Sequence, residues 1–442
     1  MGYPLNTALR RYGWLRATTR RPVVRNAASL FGSTVVTSFL GFVFWLLAAR
    51  FFSPAAVGLA SAIQAASQLL AYVCIFGLGT LVIAELAESK HAARQLIMTT
   101  AVVTCVSGFL AGVAVGLVLR HLSADLRPGL TGTLRLAVFA GLSAATTTAL
   151  LLDDASIGLL RGDIQFRRNT IFAVTKLALL AALGLAWSAL GGMAILAACL
   201  IGLALSLVAV ARPLVAATEP GPWRPALGPL VAKRRLIYSH HWLNISVIAP
   251  RQLLPVLVAA IISPAANAGF YAASLVVGFV NVIPSQLSTA MFALKPGDED
   301  ALREEVRETM KICVMVACLS APFFIITSRF ILEIFRHSYV DAAPAMAVLG
   351  FTTLPSAVKS YYVNIARVRR QMRRAATITS LAALVEVGAT VGGAVLDGLT
   401  GVALGLLCAY LVETVWLGPP VAKMLLPQRV SGLHAKKRGH WW

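Results

Sequence analysis

Apolar runs of about twenty residues recur along almost the whole chain, and a helix of that length crosses a bilayer core. In hydrocarbon, every backbone N–H and C=O must find a partner within the protein, which leaves only helices and closed barrels. The short alternating segments of a barrel are absent. The expected fold is therefore an all-α polytopic membrane protein. Composition agrees: 58% of the 442 residues are hydrophobic and 13% charged, against roughly half and a quarter in soluble domains.

Twelve spans are predicted, at about 27–49, 57–84, 96–119, 132–152, 169–190, 192–211, 239–262, 268–293, 311–335, 344–365, 375–396 and 400–424. A basic segment, 1–26, precedes them, and a basic tail, 425–442, follows. A Pro-rich basic linker, 212–238, separates an N-terminal lobe (27–211) from a C-terminal lobe (239–424). The first run is long for the apolar core of a signal peptide, so it is expected to remain as a span.

The formal charge of +21 would suggest nucleic acid in a soluble protein. Here placement outweighs the total, and no nucleic-acid partner is expected. Only Arg50, Arg120, Arg127, Arg135, Arg329 and Arg336 fall on the side opposite the N-terminus, and Lys176, Arg251 and Lys359 fall inside spans. The remaining Lys and Arg lie on the N-terminal side, which the positive-inside rule makes cytoplasmic, with both termini there. The six cysteines sit in apolar runs without a C-x-x-C pair. They read as buried apolar residues.

The tetrapeptide Ser-Pro-Ala-Ala occurs at Ser53 and again at Ser263. Each copy lies between the first and second span of its half, and a glycine follows each (Gly58, Gly269). Ser before Pro caps and pre-sets a helix start. The recurrence points to duplication of a six-span unit. Six is even, so the halves run in the same sense, and such repeats place a binding site between them.

The stretch NAASLFGSTVVTSFLGFVFWLLAARFFSPAAVGLASAI, from Asn26, resembles the first spans of polysaccharide exporters of the multidrug/oligosaccharidyl-lipid/polysaccharide (MOP) superfamily. LLRGDIQFRRNTIFAVTKL, from Leu159 to Leu177, resembles the loop and fifth span of the same group. The resemblance implies a MATE-like fold of two six-helix lobes and an alternating-access flippase or exporter. Its substrate would be a lipid-linked oligosaccharide or polysaccharide repeat unit carried on polyprenyl pyrophosphate. A bacterial cytoplasmic membrane is the implied location, and polysaccharide assembly proteins are the implied partners. A drug/cation antiporter of the same fold is the alternative. A membrane-embedded polymerase or glycosyltransferase is disfavoured, because the outside loops are too short to house a catalytic domain. No P-loop is present, so no nucleotide or other cofactor is expected, and the chain is not read as an enzyme.

Arg251 lies near the middle of the seventh span, between Pro250 and Pro255. A charge there is costly unless it faces water or a partner. It either binds an anionic head such as a pyrophosphate or pairs with Glu386 or Glu413, which lie mid-span in the eleventh and twelfth helices. Those two carboxylates are candidates for coupling to sodium or protons. Lys176 and Lys359 either snorkel to the interface or make the cavity's cytoplasmic half cationic. Gln64, Gln68, Asn244, Asn281 and Gln286 are candidates for bonding sugars, or else bond helix to helix.

Other charged stretches carry no expected chemistry. Asp153–Asp154 and Arg161–Asp163 read as a connector, and residues 297–311 as a charged interfacial helix. His240 and His241 lack further ligands, so no metal is expected. The tail HAKKRGHWW suits an anionic membrane surface.

Overall fold

The computed structural model describes residues 22–88, 93–219, 234–289, 291, 299–369 and 371–426. The N-terminal basic segment up to residue 21, most of the central linker and the tail from 427 lie outside the described residues, as does the His240 side chain. The N-terminal lobe comprises α1 (Pro22–Phe51), α2 (Pro54–Cys74), α3 (Leu78–Glu88), α4 (Ala93–Leu122), the short α5 (Arg127–Leu130), α6 (Thr133–Gly158), α7 (Gly162–Ala186) and α8 (Gly192–Ala216). The C-terminal lobe comprises α9 (Arg234–Ile261), α10 (Pro264–Thr289), α11 (Glu299–Phe335), α12 (Ala343–Gly350), α13 (Thr353–Val368) and α14 (Met372–Leu425).

Among the described residues, nine helices are long and apolar enough to cross a membrane. Twelve crossings follow once three features are resolved. The α1 helix contributes the apolar stretch Val36–Phe51. The tenth crossing is split into α12 and α13. The long α14 is two antiparallel arms joined where Asp397 and Gly398 leave helical geometry. Small residues close that hairpin, since a Cβ on Gly393 would strike the Gly401 carbonyl and one on Gly405 the Ala389 carbonyl. The α4/α6 pair closes in the same way, with Gly108, Gly112 and Gly116 against Thr147, Ala140 and Phe139.

Two expectations are corrected. The second span is not continuous: it breaks at Phe76 (φ +48°) and Gly77 (φ +73°), separating α2 from α3. The segment read as an interfacial helix is the first turns of α11, which runs unbroken from Glu299 to Phe335. The Arg369 guanidinium holds its start, with Nε 3.0 Å and Nη2 2.6 Å from the Glu299 carboxylate oxygens.

The repeated turns cap their helices in the same way. Ser53 Oγ accepts from the Ala56 N–H at 3.3 Å, and Ser263 Oγ accepts from the Ala266 N–H at 3.0 Å. They then meet each other across the lobes. Gly58 is pressed so closely on Pro264 that a Cβ would collide with its carbonyl. Asn267 Nδ2 donates to the Gly58 carbonyl at 2.8 Å and to Ser61 Oγ at 3.0 Å. Alongside, Arg336 donates to the Phe52 carbonyl at 2.9 Å, and Arg50 to the Ile334 carbonyl. Two of the six arginines of this side, Arg50 and Arg336, therefore fasten one lobe to the other.

The apolar core has the same polarity. One cluster, including Phe44, Ala60, Phe270, Phe335 and Tyr339, joins both lobes at this seam. At the basic end each lobe has a core of its own. Leu81, Leu151 and Val210 belong to one, and Leu243, Tyr361 and Leu417 to the other. The lobes are joined at the end carrying the repeated turns and have separate cores at the basic end.

Candidate functional site: a cavity with cationic and polar walls

A cavity of about 470 Å³ lies along the C-terminal lobe. It extends from Phe270 and Tyr271, near the seam, to Thr289 and Arg367, at the basic ends of α10 and α13. Helix periodicity builds its walls. Ser274, Gly278, Asn281, Ser285 and Ser288 follow one face of α10, and Thr352, Ser356, Lys359, Ser360, Asn364 and Arg367 follow one face of the tenth crossing. From the N-terminal lobe, Gln68 reaches the lining.

Arg251 sits mid-helix in α9 and is exposed to this cavity. Both flanking prolines lie inside the continuous helix α9. Each removes one N–H, so the carbonyls of Ser246 and Arg251 lose their usual helical partner. Gly278 faces the guanidinium closely, since a Cβ there would lie 3.7 Å from Nη2. Tyr72, Tyr271 and Tyr410 are within its electrostatic reach. No carboxylate among the described residues lies within ion-pair distance of it.

Glu386 and Glu413 pair instead with Lys359. Its Nζ hydrogen-bonds Glu386 Oε1, lies 3.1 Å from Glu413 Oε2, and stands 5.5 Å from the Tyr410 ring centroid. The three side chains are only 10%, 3% and 2% exposed. Lys359 therefore neither snorkels nor presents an uncompensated cation.

Lys176 also stays buried. Its ammonium rests over the rings of Phe44 (4.7 Å) and Phe172 (4.6 Å), within the N-terminal lobe and apart from the cavity lining. Gln64 accepts from the Cys199 thiol at 3.3 Å, and Asn244 accepts from Arg367 Nη2 at 2.8 Å. Both are helix-to-helix contacts. Gln68 and Asn281 line the cavity, and the buried Asn281 Oδ1 has no hydrogen-bond partner. Gln286 lies on α10 outside the lining.

Asp153 is more than a connector. It takes a bidentate pair from Arg168 (2.7 and 2.6 Å), which clamps α6 to α7. Arg161 and Asp163 make an exposed pair at 2.8 Å. Cys74, Cys199 and Cys313 are buried, but Cys105, Cys318 and Cys408 face outward, contrary to the expectation for all six.

Sequence reasoning missed Arg367, Tyr271, Tyr410 and the serines of the lining. The available signal was the run Ser356, Ser360, Asn364 at intervals of four, an unusual polar stripe within a span. Arg367 falls just beyond the predicted tenth span, 344–365, whereas α13 runs on to Val368 and carries it in its last turn.

No protein-family model matches the chain, and no curated protein does. Solved structures do. An inward-facing multidrug resistance MATE family transporter of the MOP superfamily aligns over 88% of this chain and 95% of its own, at 13% identity and a TM-score of 0.64. The MATE multidrug transporter DinF-BH aligns over 92% and 97%, at 12% identity and 0.66. The lipid II flippase MurJ, in an inward closed conformation, aligns over 90% and 89%, at 12% identity and 0.66. The chain has the two-lobed fold that these MOP-superfamily membrane transporters and the flippase share.

Proposed function

We propose that this chain is an alternating-access flippase of the bacterial cytoplasmic membrane that moves a lipid-linked oligosaccharide or polysaccharide repeat unit. The observation that carries the reading is Arg251: a guanidinium at mid-span, open to a cavity that polar side chains help to line, with its possible carboxylate partners taken by Lys359. A cation kept unpaired at that depth is expensive. An anionic head group offsets the cost through bidentate, charge-assisted bonds. The pyrophosphate of a polyprenyl carrier has that chemistry. Hydroxyls and amides along α10 and α13 suit the hydroxyls of a sugar.

The basic end is read as cytoplasmic. The closed seam at Gly58 and Asn267 and the separate cores at the basic end, where Phe76 and His241 still meet across the lobes, support loading from inside. Rocking of the lobes would then expose the head group outside while the lipid tail stays in the bilayer. Glu386 and Glu413, with Lys359 between them, are the groups proposed to link this motion to a proton gradient. The basic termini would rest on anionic lipids.

The test is deletion of the gene in its host, with lipid-linked glycan and surface polysaccharide both measured. Accumulation of the first and loss of the second, rescued by the wild type but not by Arg251→Ala, is expected. Normal lipid-linked glycan with raised sensitivity to cationic drugs would favour the antiporter instead. That second reading has its own observation, since the Glu386 carboxylate lines the cavity.

A further inference from the structure

Three charged side chains from three helical segments converge in the wall of the C-terminal lobe: Lys359 of α13 and, from the two arms of α14, Glu386 and Glu413. Two carboxylates that meet on one ammonium, withdrawn from bulk water, offer the hard oxygen donors that an alkali cation takes. That place is taken by the chain itself. The Lys359 ammonium touches both carboxylates, with the Tyr410 ring beside it. Both oxygens of Glu413 are buried without an aligned donor, and the ammonium is the cation that contacts it.

We propose that Lys359 is a tethered counter-cation, occupying the position between Glu386 and Glu413 that a sodium ion would otherwise fill. An ammonium on a side chain already in place has an effective concentration far above that of a free ion. A free sodium ion would also have to shed its water to enter. The wild-type cavity therefore binds no alkali cation at this site, and removal of the ammonium uncovers one. This deepens the ion-coupling part of the proposed function and rests on that reading for its role in transport. Its test reads cation binding alone, so either can fail without the other.

The experiment is thermal unfolding of the purified full-length protein at about 0.15 M ionic strength, in sodium, lithium or choline chloride. The wild-type midpoint should be the same in all three. Lys359→Met, which keeps the bulk and removes the charge, should gain a saturable rise of about 2 °C or more in sodium or lithium. Adding Glu413→Gln to that variant should abolish the rise. A sodium-specific rise in the wild type that Glu413→Gln removes would overturn the proposal. So would a folded Lys359→Met without any cation response. If Lys359→Met does not fold in any salt, the wild-type comparison decides: an unchanged midpoint supports the tethered cation, and a sodium-specific rise refutes it.

Discussion

Arg251 was legible because it interrupts an apolar run, where any cation requires a reason. Its two readings, anion receptor or partner of Glu386 or Glu413, could not be separated in the sequence. Pairing is decided by which helices meet, and α13 brings Lys359 to the carboxylates first. Lys176 misled for a related reason: Phe172 stands one helical turn before it, a spacing legible in the sequence, but the Phe44 ring that completes its setting belongs to α1 and leaves no local trace. Arg251→Ala is expected to weaken binding of a diphosphate head by about tenfold to a hundredfold, the worth of one or two charge-assisted bonds. Arg251→Lys should recover only part, since an ammonium cannot bond bidentately. Titration with a lipid diphosphate in detergent measures both. At the α6/α7 clamp, Arg168 is 6% exposed and Asp153 14%. Arg168→Ala strands a buried carboxylate and should cost about 3–5 kcal/mol. Asp153→Leu together with Arg168→Met should restore much of it, read by thermal unfolding.

Elements were foreseen where length and apolarity fix them, and missed where geometry departs from a plain helix. The α2/α3 break contains no proline. Gly77 and Gly79 were its sequence cues, and they lie inside an otherwise apolar run. The Asp397–Gly398 turn was placed correctly because a polar residue and a glycine fall between two full-length spans. The Ser-Pro-Ala-Ala turns were read as markers of duplication, and their caps do repeat. Their meeting at the seam was not legible, because contact between positions 209 residues apart leaves no local trace. Gly58 is needed there for close approach. Gly58→Val forces a side chain onto the Pro264 carbonyl, and overpacking of this kind costs about 1–3 kcal/mol. The closed seam should loosen. A cysteine at the buried Ser61 (Ser61→Cys) should then react with an impermeant maleimide from the outer side at least about tenfold faster in the presence of Gly58→Val. Equal rates would mean the seam does not hold the lobes together.

At the scale of the molecule, the two-lobed architecture follows from twelve spans, an even split and a repeated cap. Its likeness to MATE transporters and to MurJ persists at 12–13% identity. Such a fold is carried by span length, small-residue contacts and loop charge rather than by particular side chains. For the same reason the fold leaves the substrate open, and the cavity's own chemistry must identify it. The central claim is that Arg251 and the polar wall carry an anionic, sugar-bearing head group across the bilayer. The most direct measurement reconstitutes the full-length protein in vesicles holding a fluorescent polyprenyl-diphosphate oligosaccharide and follows its appearance on the opposite leaflet. Translocation is expected to be faster with the wild type than in protein-free vesicles, and no faster than that background with Arg251→Ala. Wild-type vesicles that move cationic dyes but leave the lipid-linked sugar at background would contradict it.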